Sequence, residues 1–305
     1  MQKQRIIYPE PLTDGSKIAV CSPAGQINPE LVRDAVAVIE SQGWNVQVMP
    51  HALGGCGTYS GTASERYEDL YEAFSDPSVR AILCSRGGYG AVHLIDRLAR
   101  QALADDPKWL IGFSDISALH ALMGSKGIAS IHSSMCRHLA LHGAADSDNA
   151  TLFSILRGER PTYVFDSHTL NRAGTATGIL RGGNMAVIAD LIGTPFDMID
   201  DGIILFVEDL AEPIYKIERI LQQLRLRGIL GRLNGLIVGQ FTDYKPSLNY
   251  GDMESMIADM VSPYGFPVVF NAPIGHVDHN IPLIESAEVT LIVNPSGKSS
   301  LIFHG

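Results

Sequence analysis

The sequence predicts an α/β fold built on a parallel sheet, and two observations carry that prediction. Short apolar runs alternate with amphipathic stretches along the chain, which is the pattern of successive βα units. The 305 residues are about twice the length of a typical domain of ~100–150 residues. We therefore expect two domains.

The N-terminal half begins with a strand predicted at residues 17–21. A helix follows, because Asn28 is an N-cap residue, Pro29 suits a first helical turn and Gly43 supplies a stop. Further strands are predicted at residues 45–48, 79–84 and 109–112, each followed by a helix. The helix after the second strand carries a stripe that predicts a buried face, formed by Tyr67, Leu70, Tyr71 and Phe74.

A polar stretch between Gly143 and Gly174 interrupts this pattern and marks the domain boundary. We predict an N-terminal domain over residues 1–150, a linker over 151–175 and a C-terminal domain over 176–305.

The C-terminal half resumes the alternation of strands and helices. Strands are predicted at residues 177–180, 202–207, 236–238 and 268–270. Helices are predicted at residues 184–193 and from Pro213 to Gly228. The chain closes with a predicted hairpin of residues 287–293 and 299–303 around the turn 294–297.

Composition excludes several classes of function. Lys and Arg number 23 against 33 Asp and Glu, and a net charge of −10 disfavours nucleic acid and anionic membrane as partners. The four cysteines are far apart, which argues against a disulfide scaffold or zinc ribbon and fits a reducing compartment. The N-terminus lacks an apolar signal-like region, and no apolar run approaches the ~20 residues of a spanning helix. We expect a cytoplasmic protein.

Ser114 is a candidate nucleophile because it stands between a predicted strand and a predicted helix, with Gly112 two residues before it. This arrangement is similar to a nucleophile elbow, although Ile116 replaces the second glycine of that motif. The alternative is an ordinary N-cap, since Ser-Asp before an apolar helix is common capping chemistry.

A glycine-rich turn, Gly87-Gly88-Tyr89-Gly90, follows another predicted strand. It can be a phosphate cradle, a tight turn that needs positive φ, or a source of oxyanion donors opposite Asp115. The turn lacks the spacing of a dinucleotide motif and has no Gly-Lys-Ser/Thr, which disfavours a nucleotide.

The histidines allow a metal hypothesis. His276 and His279 lie in one loop, and a second group comprises His132, His138 and His142. Neither group has the His-Glu-x-x-His pattern, yet a metal-dependent hydrolase that uses the His276 loop stays an alternative.

A serine nucleophile needs a base that a third group orients. The chain order Ser114, Glu208, His276 offers such a set, because each residue follows a predicted strand. In open parallel sheets, ligands bind at the carboxyl ends of the strands.

Several blocks in order resemble the LD-carboxypeptidase family of serine peptidases. The blocks are AILCSRGGYGAVHLID, PKWLIGFSDISALH, GILRGGNMAVIADLIGTP, ILFVEDLAEPIYKIERILQQLRLRGIL and NAPIGHVDHN. The resemblance extends from about residue 16 to 303. It implies a Rossmann-like (flavodoxin-like) N-terminal domain, a mixed α/β C-terminal domain, no cofactor or metal, and a homodimer.

Members of this family are cytoplasmic muramoyl-tetrapeptide carboxypeptidases that remove the terminal D-alanine from murein tetrapeptides in peptidoglycan recycling. A microcin-immunity branch cleaves peptidyl or aminoacyl adenylates instead, and the short linker before Gly178 favours the murein branch. A non-catalytic muropeptide-binding module is the alternative from another class.

The resemblance assigns the catalytic roles to Ser114, Glu208 and His276. It assigns the oxyanion hole to the backbone N–H groups of Asp115 and of Gly87 or Gly88. Two further residues, Arg86 and Arg181, are candidates to bind the terminal carboxylate of the substrate, for which an arginine is suited. The chain departs from the family pattern at residues 280–285, Asn-Ile-Pro-Leu-Ile-Glu, where many members carry Thr-Leu-Pro-Ile-Gly. That departure concerns the local wall of the pocket and leaves the three catalytic positions intact.

Overall fold

A computed structural model describes residues 6–304 and divides into two compact units. The first unit extends to Glu159 and also includes Ile281–Glu285. The second unit comprises Arg160–Asn280 and resumes at Ser286. Each unit has its own mixed sheet with helices, so the predicted α/β fold is confirmed. None of the helices in the described part of the chain is long and apolar enough to cross a membrane.

The sheet of the first unit has six strands. They are β1 (Lys17–Cys21), β2 (Asn45–Val48), β3 (Val79–Cys84), β4 (Trp109–Gly112), β5 (Ser130–His132) and β11 (Leu283–Glu285). The spatial order is β11-β5-β4-β3-β1-β2, in which β1 to β5 run parallel and β11 pairs antiparallel with β5. The order β2-β1-β3-β4-β5 is the flavodoxin-like doubly wound arrangement, as the resemblance implied.

The described residues of this unit form six α-helices. They are α1 (Pro29–Glu40), α2 (Ala63–Ser75), α3 (Val92–Leu98), α4 (Ser117–Ser125), α5 (Cys136–His142) and α6 (Ser147–Leu156). The predicted cap of α1 is confirmed, because the Asn28 side chain accepts the N–H of Glu30 at 3.0 Å. Thr62 and Glu65 form a capping box at the start of α2.

The stripe predicted to be buried on α2 is buried at Leu70 and Phe74 and half-buried at Tyr67, but the prediction is wrong for Tyr71. Tyr71 is 41% exposed, and Tyr67 stacks on it with ring centroids 5.8 Å apart. The buried face of α2 includes Leu70 but also Arg66 and Asp69. These two charged residues are tolerated inside because each has hydrogen-bond partners, which the hydrophobic pattern does not reveal.

The sheet of the second unit has seven strands. They are β6 (Thr162–Phe165), β7 (Gly174–Asn184), β8 (Ile204–Leu210), β9 (Gly235–Thr242), β10 (Val268–Val269), β12 (Glu288–Val293) and β13 (Ser299–Phe303). The order is β10-β9-β8-β7-β12-β13-β6, parallel from β10 to β7 and antiparallel beyond. Its helices are α7 (Met185–Asp190), α8 (Ile214–Leu226) and α9 (Met253–Val261). The predicted closing hairpin is β12 and β13.

The units differ from the predicted domain limits in two places. The segment predicted as a linker, residues 151–175, contains the end of α6, all of β6 and the start of β7. Leu152 and Phe153 are buried, which places that end of α6 in the core of the first unit despite its polar neighbours. The chain also returns to the first unit at β11.

Candidate active site

Ser114 directly follows β4 and Phe113, and it begins a single 3₁₀ turn over Ser114–Ile116. Its φ of 67° is in the left-handed region, which is uncommon for a residue with a Cβ and is typical of strained functional turns. The N-cap alternative is wrong, because Phe113 caps the 3₁₀ turn and Ile116 is the cap of α4. The local backbone is therefore that of a nucleophile elbow.

The glycine-rich turn lies beside Ser114. A Cβ atom added to Gly87 would stand 2.9 Å from the Ser114 Cβ, 3.0 Å from its Oγ and 3.5 Å from the backbone nitrogen of Asp115. Gly88 has a φ of 118°, which favours glycine. The Gly87 carbonyl accepts the N–H of Gly25 at 3.0 Å, so this turn is joined to the loop after β1. The first unit thus brings together all four predicted residues Ser114, Asp115, Gly87 and Gly88.

The side chain of Asp115 is also engaged in this region. Its Oδ2 accepts the backbone N–H of Ala91 at 2.8 Å, and the residue is buried. Burial raises the pKa of Asp115, whereas the bond from Ala91 and the charges of Arg66 and His93 act to lower it.

His120 supports the strand that leads to Ser114. Its Nε2 lies 2.9 Å from the Gly112 carbonyl oxygen and its Nδ1 lies 2.8 Å from the Ser130 hydroxyl. Burial lowers the pKa of His120 to about 4, so the ring is neutral near pH 7. A neutral ring donates through Nε2 to Gly112 and accepts from Ser130, which ties β4 to β5.

The second unit brings together Glu208 and His276. Glu208 is fully buried in β8, and its Oε2 lies 2.7 Å from Nδ1 of His276. Burial lowers the pKa of His276, but the hydrogen bond to Glu208 and the charges of Glu208 and Asp209 oppose it, and the net pKa is raised above 6.5. When Nδ1 donates to this carboxylate, Nε2 is the ring nitrogen that can take up a proton.

The loop before His276 is shaped to let the imidazole reach Glu208. Gly275 has a φ of 121°, and a Cβ there would stand 2.7 Å from Oε2 of Glu208. The Gly275 N–H donates to Oδ1 of Asn280 at 2.9 Å, and Asn280 is buried. Asn280 therefore holds the loop closed around His276.

Asp209, next to Glu208, anchors the end of β8 to the neighbouring strand and helix. Its carboxylate accepts from Nδ2 of Asn184 at 2.9 Å, from the Ala186 N–H at 2.9 Å and from the Leu210 N–H at 2.8 Å. Burial is the main cause that raises the pKa of Asp209 to about 6. Because β7 ends at Asn184, these bonds fix the edge from which Glu208 projects.

The two arginines predicted to bind substrate lie in different units. Arg86 directly precedes the glycine turn; it is exposed, and its Nη1 donates to the Gln26 carbonyl at 2.7 Å. Arg181 is half-buried on β7, opposite Leu205 of β8.

A metal site at the His276 loop would need several ligand side chains close together, and the described residues form no such group there. His279 is exposed, and His132 is buried in β5. Within residues 6–304, the one group of three potential ligands is His138, Asp146 and Asp148. Oδ1 of Asp146 already accepts the N–H groups of Asp148 and Asn149 as the cap of α6, and Nε2 of His138 lies 3.0 Å from the same oxygen. The cap of α6 therefore accounts for the position of the Asp146 carboxylate and its contact with His138.

Three features of the site were not predicted from the sequence: Asp209, Asn280 and the side-chain role of Asp115. Asp209 and Asp115 each directly follow a predicted catalytic residue, so their adjacency was the available signal. Asn280 is the first residue of the segment that departs from the family pattern, and its contact with Gly275 gives that segment a function in loop closure.

Both halves of the chain match one family of peptidases. Residues 18–133 match the LD-carboxypeptidase N-terminal domain, and residues 177–291 match the LD-carboxypeptidase C-terminal domain. The first match contains Ser114 and the glycine turn, and the second contains Glu208 and His276.

Individual relatives cover nearly the whole chain. A Streptomyces coelicolor protein is 31% identical over 283 residues, with 90% of each chain covered. The murein tetrapeptide carboxypeptidase of Pseudomonas aeruginosa is 30% identical over 274 residues, covering 87% of this chain and 89% of the relative. The muramoyltetrapeptide carboxypeptidase of Oxalobacter formigenes has a similar structure, with a TM-score of 0.84, 27% identity and coverage of 95% and 99%. The microcin C7 self-immunity protein shares the fold at a TM-score of 0.86 and 18% identity, with coverage of 98% and 99%.

Proposed function

This chain belongs to the LD-carboxypeptidase family, and on that basis we propose that it removes the terminal D-alanine from murein tetrapeptides by serine-type hydrolysis. The observation that carries the proposal is the 2.7 Å hydrogen bond between Glu208 and Nδ1 of His276. This bond fixes the tautomer of the imidazole and stabilises its cation, which is what a general base for a serine hydroxyl requires.

We assign Ser114, Glu208 and His276 to one catalytic triad. The Ser114 oxygen attacks the carbonyl carbon of the residue before D-alanine, and its proton passes to Nε2 of His276. The C–N bond then breaks as His276 returns that proton to the departing amine. A water molecule next attacks the acyl-enzyme ester with His276 again as the base, which releases the tripeptide and restores the Ser114 hydroxyl.

The oxyanion of the tetrahedral intermediate is assigned to backbone donors on the first unit. The Asp115 N–H follows the nucleophile, and the N–H of Gly87 or Gly88 supplies the second donor. The short approach of Gly87 to both Ser114 and the Asp115 nitrogen supports this assignment. Donors fixed before the reaction stabilise the developing charge without reorganising.

The terminal carboxylate of the substrate needs a cationic or N–H-rich partner. We assign this role to Arg86, because its bond to the Gln26 carbonyl holds the guanidinium next to the glycine turn. Arg181 on β7 is the second candidate.

The same family assignment supports a proposal for the cellular setting. A carboxypeptidase that acts on murein tetrapeptides fits peptidoglycan recycling, and we place it in the cytoplasm. Cys21, Cys84 and Cys136 are buried free thiols, which agrees with a reducing compartment. The homodimer stays a prediction from the resemblance.

The direct test is incubation of the purified protein with a murein tetrapeptide and detection of D-alanine by mass spectrometry. We expect a stoichiometric tripeptide product and no change with EDTA. Binding of the tetrapeptide without product would instead favour the muropeptide-binding module, and activity abolished by EDTA would favour a metal-dependent hydrolase.

A further inference from the structure

The glycine turn is held from three sides. The Gly25 N–H donates to the Gly87 carbonyl at 3.0 Å, and Nη1 of Arg66 donates to the Gly90 carbonyl at 2.9 Å. The Ala91 N–H, at the end of the turn, donates to Oδ2 of Asp115 at 2.8 Å. The first two bonds join the turn to the loop after β1 and to α2, whereas the third joins it to the 3₁₀ turn Ser114–Ile116, which we call the nucleophile turn.

Asp115 therefore belongs to both parts of the proposed oxyanion hole. Its backbone N–H lies on the nucleophile turn, and its carboxylate holds the turn that contains Gly87 and Gly88. A donor that is displaced by a fraction of an ångström loses much of its catalytic effect, because the stabilisation depends on distance and direction. The carboxylate of Asp115 is placed to set the separation of the two donors.

A buried carboxylate beside a developing oxyanion would also repel it, unless a cation offsets its charge. Arg66 is 2% exposed and provides that cation in a fixed position. Its Nη1 donates to the Pro23 carbonyl at 2.5 Å as well as to Gly90, and its Nε donates to the Gly61 carbonyl at 3.1 Å. The guanidinium thus braces the turn, and its charge acts to lower the pKa of the Asp115 carboxyl.

We propose that the Asp115 carboxylate and the Arg66 guanidinium are positioning residues that lock the glycine turn against the nucleophile turn, so that the two oxyanion donors converge. This inference rests on the proposed function, because it uses the oxyanion hole assigned there. It adds a role for the side chain of Asp115 that is separate from the role of its backbone N–H.

The test compares Asp115→Ala with Asp115→Asn in the full chain. An alanine removes the acceptor for Ala91, whereas the amide oxygen of asparagine can still accept that N–H. Asp69→Ala is the matched control, because Asp69 is a buried aspartate on α2 whose carboxylate accepts the His51 N–H at 3.1 Å. Melting temperature, kcat and KM on murein tetrapeptide are measured for each variant.

A fluorophosphonate probe gives a second readout that does not depend on the peptide substrate. The Ser114 oxygen forms a bond to phosphorus while the P–F bond breaks, and the rate of labelling reports the nucleophile and the oxyanion donors together. We expect Asp115→Ala to lower kcat and the labelling rate by roughly 10²-fold, the usual effect of one oxyanion donor, with KM within about threefold. Asp115→Asn should recover most of the loss, and Asp69→Ala should retain the wild-type rate of labelling.

Ala91→Pro tests the same bond from the donor side. Ala91 has a φ of −59°, which a proline ring accepts, and proline lacks the N–H. We expect a loss of kcat similar to that of Asp115→Ala, and no further loss when both changes are combined. If Asp115→Ala does not fold, the kcat and the labelling rate of Ala91→Pro test the inference in its place.

The outcomes separate the inference from the proposed function. Folded Asp115→Ala or Ala91→Pro that is labelled at the wild-type rate overturns the inference, as does an Asp115→Asn variant no faster than Asp115→Ala. Wild-type protein whose Ser114 is labelled but which releases no D-alanine overturns the substrate assignment and leaves the inference standing. Wild-type protein that is not labelled overturns both.

Discussion

Gly87 lies against Ser114, so closely that a Cβ atom on Gly87 would stand 2.9 Å from the Cβ of the serine. The contact explains why a glycine is needed at this point of the turn, since any larger residue would displace the serine or the turn. It also means that the glycine turn after β3 packs directly against the strained elbow after β4, although Gly87 and Ser114 are 27 positions apart in the sequence.

Ser114→Ala tests the nucleophile. The variant should melt within a few degrees of the wild type and lose a factor of roughly 10⁴–10⁶ in kcat, the usual effect of losing a triad nucleophile. Ser125→Ala is the control, since Ser125 lies on α4 and its hydroxyl donates to the Leu122 carbonyl. Hydrolysis that persists in Ser114→Ala would move the chemistry to another group.

Glu208→Gln tests the orienting carboxylate through the pH profile. His276 must be neutral to accept a proton, so kcat/KM should fall as the pH drops below its raised pKa. Removing the charge of Glu208 lowers the pKa of His276, which should move this acid limb to lower pH and reduce kcat by roughly 10³–10⁴. The profile of kcat/KM and an NMR titration of His276 check both effects. An unchanged acid limb would show that Glu208 does not control the base.

The sequence predicted the parts of the fold that depend on local hydrophobic runs. All four strands β1 to β4 occur as predicted. Of these, β1, β3 and β4 are largely apolar and either end in glycine or are followed by serine, whereas β2 alternates polar and apolar residues. The strands β5 and β11 were missed because each has three residues and their partners are distant in sequence: Leu283 pairs with His132. Pairing of that kind depends on the tertiary fold, which a local pattern does not contain.

The candidate site likewise has features that the sequence pattern predicts and features that it does not. Ser114, Glu208 and His276 follow apolar runs, which predicted a place near the carboxyl ends of strands. Ser114 does follow β4, whereas Glu208 lies within β8, which extends to Leu210, and His276 is in the loop after β10. The positive φ of Ser114 was not predictable, because the residue is not glycine and composition gives no sign of it. The buried Arg66 was hidden for a related reason: charged residues are assigned to the surface unless their partners are known.

Gly275→Ala tests the loop that carries His276. The new Cβ would stand 2.7 Å from Oε2 of Glu208, and a φ of 121° is strained for alanine at a cost of ~1–3 kcal/mol. We expect a lower melting temperature and a loss of kcat of at least ~10², because the shift separates His276 from Glu208. Gly251→Ala is the control, since a Cβ there meets nothing within 4 Å. Equal activity of the two variants would contradict the role of this loop.

Asp209→Asn tests the pH dependence of stability. The pKa of Asp209 is about 6 in the folded protein and 3.8 in an unperturbed chain, so the folded state binds its proton more tightly. Stability from this group is therefore present below pH 4 and is lost as the pH rises to about 6, by up to ~3 kcal/mol. The asparagine does not titrate, so the stability of the wild type relative to the variant should fall between pH 4 and 7. Parallel slopes of the two urea midpoints against pH would exclude this group as the cause.

The choice of substrate tests whether the protein acts as the murein branch or the microcin-immunity branch of the family does. A site that binds the terminal carboxylate of a tetrapeptide must reject a pentapeptide, because the extra D-alanine would occupy the place of the carboxylate and leave its donors unpaired. Unpaired polar groups of this kind can give discrimination of ~10⁴–10⁵. We therefore expect fast release of one D-alanine from the tetrapeptide and very slow release from the tripeptide or pentapeptide, measured as kcat/KM side by side.

An aminoacyl-sulfamoyl adenosine is the competing ligand for the microcin-immunity alternative, and we expect it to inhibit poorly. Tight binding of the adenosine compound together with slow tetrapeptide hydrolysis would refute the murein assignment and leave the catalytic triad untouched.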